Sequence, residues 1–383
     1  MQKKLLATVV ASLVAGQAMA LEVYNDDVNS LEIGGKIGVK TVKSDGSDAE
    51  MGDASPRINF KYAHKFDSGW TGSAVAEWGF YAVDGDQDDQ FFNRLGNVGL
   101  SHDTYGAFTA GKAWAVTYDV SGWTDVFAIG GGAAMGIYSG RDGMMSSNDL
   151  IRDLDASHGG GDTDGTARAD DVIQYRKSFG GLNVGIQYQL KGTAGKTMSD
   201  ATTTVDGTRD SSYGVALSYD LPMGLSLGAT YNETKYAEEL GQIGNVTLPA
   251  YSGSDKSTSA TVGAKFENEA LYLAATYGQF ENKTAVEKGI LDKESNGIEL
   301  YGKLALPQVV DGFYLQSGFN QLSADDTYTG ENTDAEFTDY MVGAIYETGP
   351  MQFAFEYTRG EKVNAGGKKD FDDTYAVQAI YYF

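Results

Sequence analysis

The chain holds three histidines, His64, His102 and His158, and no cysteine, so any nucleophile-and-base chemistry would have to be built around one of those rings. Ester or peptide cleavage needs a histidine close to a serine or an aspartate. His64 falls on the apolar face of an alternating run, His102 in a short turn and His158 in a glycine-rich loop. None has a plausible nucleophile partner, so no catalytic residue is assigned and enzymatic activity is not expected. Asp84-Gly85-Asp86-Gln87-Asp88-Asp89 offers oxygen ligands in the manner of a calcium loop but lacks the distal glutamate at the required offset. Gly159-Gly160-Gly161-Asp162-Thr163-Asp164-Gly165 is similar to a calcium-binding repeat but occurs once. Asn232-Glu233-Thr234 and Asn282-Lys283-Thr284 fit a glycosylation pattern of low information. Solvated loops explain all four strings. No metal site and no cofactor follow from them.

The charged residues fall into a different pattern. From Leu31 onward the chain repeats runs of about ten residues that alternate apolar and polar, each followed by a Gly/Asp/Asn/Ser cluster. Alternation is the period of a strand, whose successive side chains point to opposite faces. Leu31, Ile33, Ile37 and Val39 share one face, with Glu32, Lys36 and Lys40 on the other. Ile58, Phe60, Tyr62 and Phe66 likewise oppose Arg57, Asn59, Lys61 and Lys65. Further runs carry Glu77, Arg94, Arg168, Gln174, Arg176, Gln187, Gln189, Glu299, Lys303 and Glu356 on the polar face.

Sixteen such runs start near Leu31, Arg57, Trp70, Arg94, Gly106, Asp171, Leu182, Ser212, Leu225, Thr258, Ala270, Gly297, Phe313, Asp339, Met351 and Thr374. Their connections alternate in length. Short ones carry tight turns such as Asp67-Ser68-Gly69, Gly180-Gly181 and Thr348-Gly349-Pro350. Long, acidic ones span 43–56, 82–93, 115–170, 191–211, 233–257, 281–296, 322–338 and 360–373. An even strand count, with short turns on one rim and long loops on the other, predicts an all-β fold: a sixteen-stranded antiparallel transmembrane β-barrel. Lipid supplies no hydrogen-bond partners, so a sheet spans it only by closing on itself. Aromatics near the run ends, including Tyr62, Phe66, Trp70, Tyr188, Tyr219 and Tyr277, fit interfacial girdles. A soluble sandwich would alternate as well, but predicts neither girdles nor alternating turn lengths.

Lys3 and Lys4, the apolar run Leu5 to Val14 and the small residues of Ala18-Met19-Ala20 read as a signal peptide over 1–20, leaving one domain over 21–383. The formal charge is −24, and loss of two lysines with the leader makes it about −26. Such acidity argues against a nucleic-acid partner, whose phosphates demand Lys and Arg. Acids at Asp84, Asp86, Asp88 and Asp89 would face an outer layer dense in phosphate, where divalent cations bridge like charges to lipopolysaccharide. Within a barrel of this size the polar faces line an aqueous channel for small hydrophilic solutes. A solute-specific channel and a structural or adhesion barrel are the alternatives.

Several stretches resemble the trimeric general porins of Gram-negative bacteria. They are Gly35-Lys36, Ala54-Ser55-Pro56-Arg57-Ile58-Asn59-Phe60-Lys61, Asn93-Arg94-Leu95, Gly111-Lys112, Tyr118-Asp119 to Thr124-Asp125, and Tyr175-Arg176. The resemblance covers the chain from Leu21 to the terminal Phe383. It implies a homotrimer of outer-membrane diffusion channels whose third loop, within 115–170, folds into the lumen. It also implies a constriction with a basic wall of Lys36, Arg57, Arg94 and Arg168 facing a loop carboxylate at Asp125; Asp119 and Glu77 are expected with Asp125 on the acidic side. Phe383 resembles the signal read by the outer-membrane assembly machinery. Where the family carries a pore-facing glutamate in this loop, Ile129 stands here, and the loop is longer around Asp149 to Asp164. Mild rather than strong cation preference is the expectation. Asp119, Asp142 and Asp149 are candidates to compensate for the missing glutamate.

Overall fold

The computed structural model describes residues 21–83, 91–138, 164–195, 203–204, 206–236, 242–243, 246–247, 256–284, 286, 292–327, 335–364 and 367–383. Residues 1–20, the aspartates of the 84–90 stretch, Asp142, Asp149 and His158 lie outside these.

Sixteen strands form the barrel among the described residues: β1 (Asn29–Ser44), β2 (Arg57–Lys65), β3 (Trp70–Phe80), β4 (Phe91–His102), β5 (Gly106–Trp114), β6 (Arg168–Phe179), β7 (Leu182–Gln189), β8 (Asp206–Asp220), β9 (Leu225–Tyr236), β10 (Lys256–Glu267), β11 (Leu271–Glu281), β12 (Asp292–Ala305), β13 (Phe313–Thr327), β14 (Glu336–Thr348), β15 (Met351–Val363) and β16 (Lys369–Tyr382). Each pairs antiparallel with the next. β16 then pairs with β1, from Lys36↔Tyr382 to Ser44↔Thr374, and closes the ring. Several strands begin earlier than the alternation suggests, β4 at Phe91, β8 at Asp206 and β12 at Asp292. Each extension is on the long-loop rim. Beyond the bilayer both faces meet water, so the apolar signal fades while the backbone ladder continues.

The short turns sit where the chain can take left-handed backbone angles. Gly69, Gly224, Gly312 and Gly349 all have positive φ. The seam is built from both ends of the chain. Phe383 and Gly35 exchange backbone hydrogen bonds of 2.9 and 3.1 Å. The strand Leu21–Asn25 then continues along β1, with Leu21 opposite Ile33 and Asn25 opposite Ser30. The Phe383 ring lies over Gly35, where a methyl group would come within 2.8 Å of its Cζ.

The burial pattern is that of a soluble protein turned inside out. Val98, Leu217, Leu273, Val342 and Val377 are exposed on the outer face, which a bilayer would cover. Gln174, Gln187, Asn232, Thr276, Glu299, Asn320 and Glu356 are buried on the inner one. They are buried because residues 115–138, the loop after β5, lie inside the barrel. Ala115, Val116, Val120, Ala133, Ala134, Met135 and Ile137 are almost wholly enclosed.

Candidate pore constriction

One side of the lumen is a charged wall on adjacent strands. Lys36 of β1 is the register partner of Arg57 of β2. The break between Asp53 and Arg57 starts β2 with its guanidinium inward: Ser55 takes a positive φ of 53°, and Pro56 has no N–H for the ladder. The register of β3 with β4 shifts between Glu77 and Trp78, which pair with Leu95 and Asn93. Arg94 is the extra residue of that bulge, a local device that re-aims a side chain. Its Nε donates to Glu77 Oε1 at 2.8 Å, and Arg57 Nε lies 3.9 Å from Glu77 Oε2. Arg168, at the start of β6, also acts electrostatically on Glu77.

Glu77 was expected on the acidic side. It stands instead on the basic wall between Arg57 and Arg94. Four cations on one wall repel each other, and a carboxylate among them lowers that repulsion. Arg57, Glu77 and Arg94 therefore hold one another in place.

The inward loop begins with Ala115, continues through the short helix α1 (Tyr118–Ser121) and runs along the opposite wall. Val116 N donates to Gln187 Oε1 of β7 at 2.8 Å, and the Tyr272 hydroxyl of β11 donates to Trp123 O at 2.7 Å. Gln378 of β16 donates to Ala128 O at 2.8 Å, and Ile129 packs against Val42 and Ala376 on β1 and β16. Two wall glutamates accept backbone N–H groups from the loop. Glu356 Oε1 takes Gly130 N at 2.9 Å. Glu299 Oε1 takes Ala134 N at 2.6 Å and Met135 N at 3.0 Å, and its Oε2 takes the Thr124 hydroxyl. Glu299 and Glu356 are readable from the sequence as lumen residues. Their use as loop anchors is not, because the donors are backbone groups more than a hundred residues away.

Asp125 lies on the outgoing arm of the loop, against Gly132 of the returning arm. The hydroxyls of Tyr118, on the outgoing arm, and Tyr138, on the returning arm, both donate to its Oδ2, at 2.8 and 2.6 Å. Burial, then the Asp125 carboxylate, pushes both hydroxyls well above their ordinary pKa, so they remain donors. Arg168 and Arg94 act on Tyr138 in the opposite sense, and Arg57 on Tyr118. This clasp therefore lies within the field of the basic wall. Asp119 is engaged elsewhere: its carboxylate pairs with Arg176 of β6, with Arg176 Nε at 2.8 Å, and ties the loop's start to the wall. Tyr138 was missed in the sequence, where nothing marks a tyrosine inside a long loop as a partner of an aspartate 13 residues earlier.

A sequence profile of the family described as Gram-negative porin matches residues 7–383. Outer membrane porin N of Escherichia coli (strain K12) is 32% identical over 295 residues, covering 74% of this chain and 70% of that protein. Outer membrane protein S2 of Salmonella typhi is 30% identical over 373 residues, covering 90% and 89%. Among solved structures, the Salmonella typhi OmpF complex with daunomycin superposes with a TM-score of 0.69 at 21% identity, covering 95% of this chain and all of that one. An anion-selective porin from Comamonas acidovorans superposes with a TM-score of 0.65 at 14% identity, covering 93% of this chain.

Proposed function

The chain belongs to the Gram-negative porin family and is an outer-membrane channel for passive diffusion, and on that premise we propose how its waist works. Lys36, Arg57, Arg94 and Arg168 form the basic side of the constriction, and Asp125, held by its two tyrosines, forms the acidic side. The observation that carries this reading is the bulge at Arg94, which brings two guanidiniums onto Glu77 in a wall that the Asp125 clasp faces. A solute crossing here passes through a transverse field, and small hydrophilic molecules pass without chemistry.

Ion preference is mildly for cations. The chain's net charge of −24 sits largely in its loops and raises the local cation concentration at the mouth, while the basic wall opposes that at the waist. Phe383 acts as an assembly signal in addition to its place as the last rung of the seam, and residues 1–20 are removed on export. The channel works as a homotrimer, with its acidic outer loops bridged to lipopolysaccharide by divalent cations.

Single-channel recording in asymmetric salt tests the waist. The expected result is an open ohmic pore with a small reversal potential of cation-selective sign. An anion-selective sign would overturn the ion preference, and no conductance from correctly inserted protein would overturn the channel. Unheated protein should migrate on denaturing gels as a compact oligomer that boiling converts to monomer. Migration that does not change on heating would sink the trimer.

A further inference from the structure

The inward loop lies on a track of glycines. Gly185 of β7 sits under Val116, where an added methyl would come within 2.9 Å of the valine Cβ. Gly228 of β9 and Gly263 of β10 are register partners beneath Val120 and Trp123. A methyl there would approach Val120 to 2.6 and 3.0 Å and Trp123 to 2.8 and 3.1 Å. Gly278 of β11 and Gly297 of β12, again partners, lie under Met135, at 3.2 and 3.0 Å, and a methyl on Gly297 would also strike the Ala134 carbonyl. On β13 a methyl at Gly318 would run into the Phe127 ring. Contacts under 3.0 Å force something to shift, and those of 3.0 to 3.2 Å require the neighbour to give by a few tenths of an ångström; at Gly278 the tightest approach, 2.6 Å, is to Phe280 of its own strand, with Met135 next to it.

None of these six glycines has a positive φ, so the backbone does not require glycine at any of them. Glycine in a strand interior weakens the strand and often marks close approach of another chain segment. Here that segment is the loop. On β1 to β4 the wall carries Lys36, Arg57, Glu77 and Arg94 instead. Anchors and seats coincide: Glu299 lies two residues from Gly297, and Tyr301, packed edge-on against Phe127 at 4.6 Å, is the register partner of Gly318.

We propose that Gly185, Gly228, Gly263, Gly278, Gly297 and Gly318 are specificity-determining positions of the channel: they set how deep the loop sits in the wall, and so the width left between Asp125 and the basic wall. The inference rests on the constriction proposed above. A side chain on the track lifts the loop toward Arg57 and Arg94 and narrows the passage. Glu299 and Glu356 supply the attachment that makes the depth of the seat matter, because a loop held only at its ends would move aside.

The test is conductance in planar bilayers, together with entry of neutral sugars of increasing size into liposomes. The variants are Gly318→Ala, Gly228→Ala with Gly263→Ala, and the control Gly302→Ala. Gly302 is on the lipid face of β12, where a methyl meets Leu273 Cδ2 at 3.3 Å and Ser317 Oγ at 3.8 Å. The track variants should lose conductance and slow large sugars more than small ones, while Gly302→Ala matches the parent. Phe127→Ala combined with Gly318→Ala should restore the parent's behaviour, and restore insertion if Gly318→Ala alone fails to insert. Parent-like conductance and sugar cut-off in the inserted track variants would overturn the proposal, as would failure of the Phe127 change to rescue. A parent that does not conduct would instead sink the channel reading, so the two failures are distinguishable.

Discussion

The two halves of the lumen solve opposite problems. On β1 to β4 long charged side chains stand inward, and the Glu77 carboxylate between Arg57 and Arg94 lowers their mutual repulsion and holds them together. On β7 to β13 the wall is flattened to glycine and covered by the loop, and the buried glutamates beneath it, Glu299 on β12 and Glu356 on β15, accept backbone N–H groups of the loop. In the proposed waist, charge on the first half is what a passing solute meets, whereas the glutamates of the second half hold a piece of protein. A lumen-facing acid is thus not by itself a selectivity residue; what lies against it decides.

The largest effect should come from releasing the covered half. Glu299→Leu leaves Ala134 N and Met135 N without their acceptor in an enclosed site, and should destabilise the seated loop by about 4 kcal/mol, about 2 for each unmet donor. Single-channel traces should become noisy, and the loop should be cleaved by an added protease; quiet, protected channels would show that the anchor is dispensable. Next is the bare half. Replacing Arg57 and Arg94 with glutamine should enlarge conductance and shift the reversal potential toward cations. Arg94→Gln alone should cost about 2 kcal/mol, less than the loss of a dry buried partner because Arg57 still lies 3.9 Å from Glu77. Conductance and reversal potential unchanged in the double variant would mean that these residues do not form the waist.

A smaller change is expected at the clasp that joins the two arms of the loop. Tyr138→Phe removes one of two hydroxyls from Asp125, about 1.5 kcal/mol for a hydrogen bond to a charged acceptor, and leaves more of the carboxylate's charge to face the passage. The reversal potential should move slightly toward cations with conductance near the parent's; a shift toward anions would contradict it. Least disruptive is salt. Raising it from about 0.1 M to about 1 M shortens the screening length from about 10 Å to about 3 Å, so the preference set by the mouth loops should fade without any structural change. Selectivity independent of salt would place its origin in close contacts alone.

Much of this could be read from the sequence. The alternation at Leu31 to Lys40 and Arg57 to Lys65 already separates the lipid face from the lumen, and the strict alternation of short and long connections sets strand number and closure. Arg57, Arg94 and Asp125 were accessible through the resemblance to porins. The bulge that turns Arg94 onto Glu77 was not, because a one-residue register shift leaves no trace in a polar stretch. Nor were the six glycines, because an inward glycine and a solvated one look alike until it is known what approaches them.

What the sequence determines by itself is therefore local and periodic. A two-residue repeat fixes which side chains meet lipid, and turn chemistry at Gly69, Gly224, Gly312 and Gly349 fixes where the chain reverses. Only the tertiary structure decides how the lumen is divided. Asp125 meets Tyr138, Glu299 meets Ala134 and Gly318 meets Phe127 across separations that no local pattern encodes. They meet because closing the ring at β16 and β1 confines the loop within the barrel, where backbone donors not used in its own short helix, such as Gly130, Ala134 and Met135 N, find partners on the wall it covers.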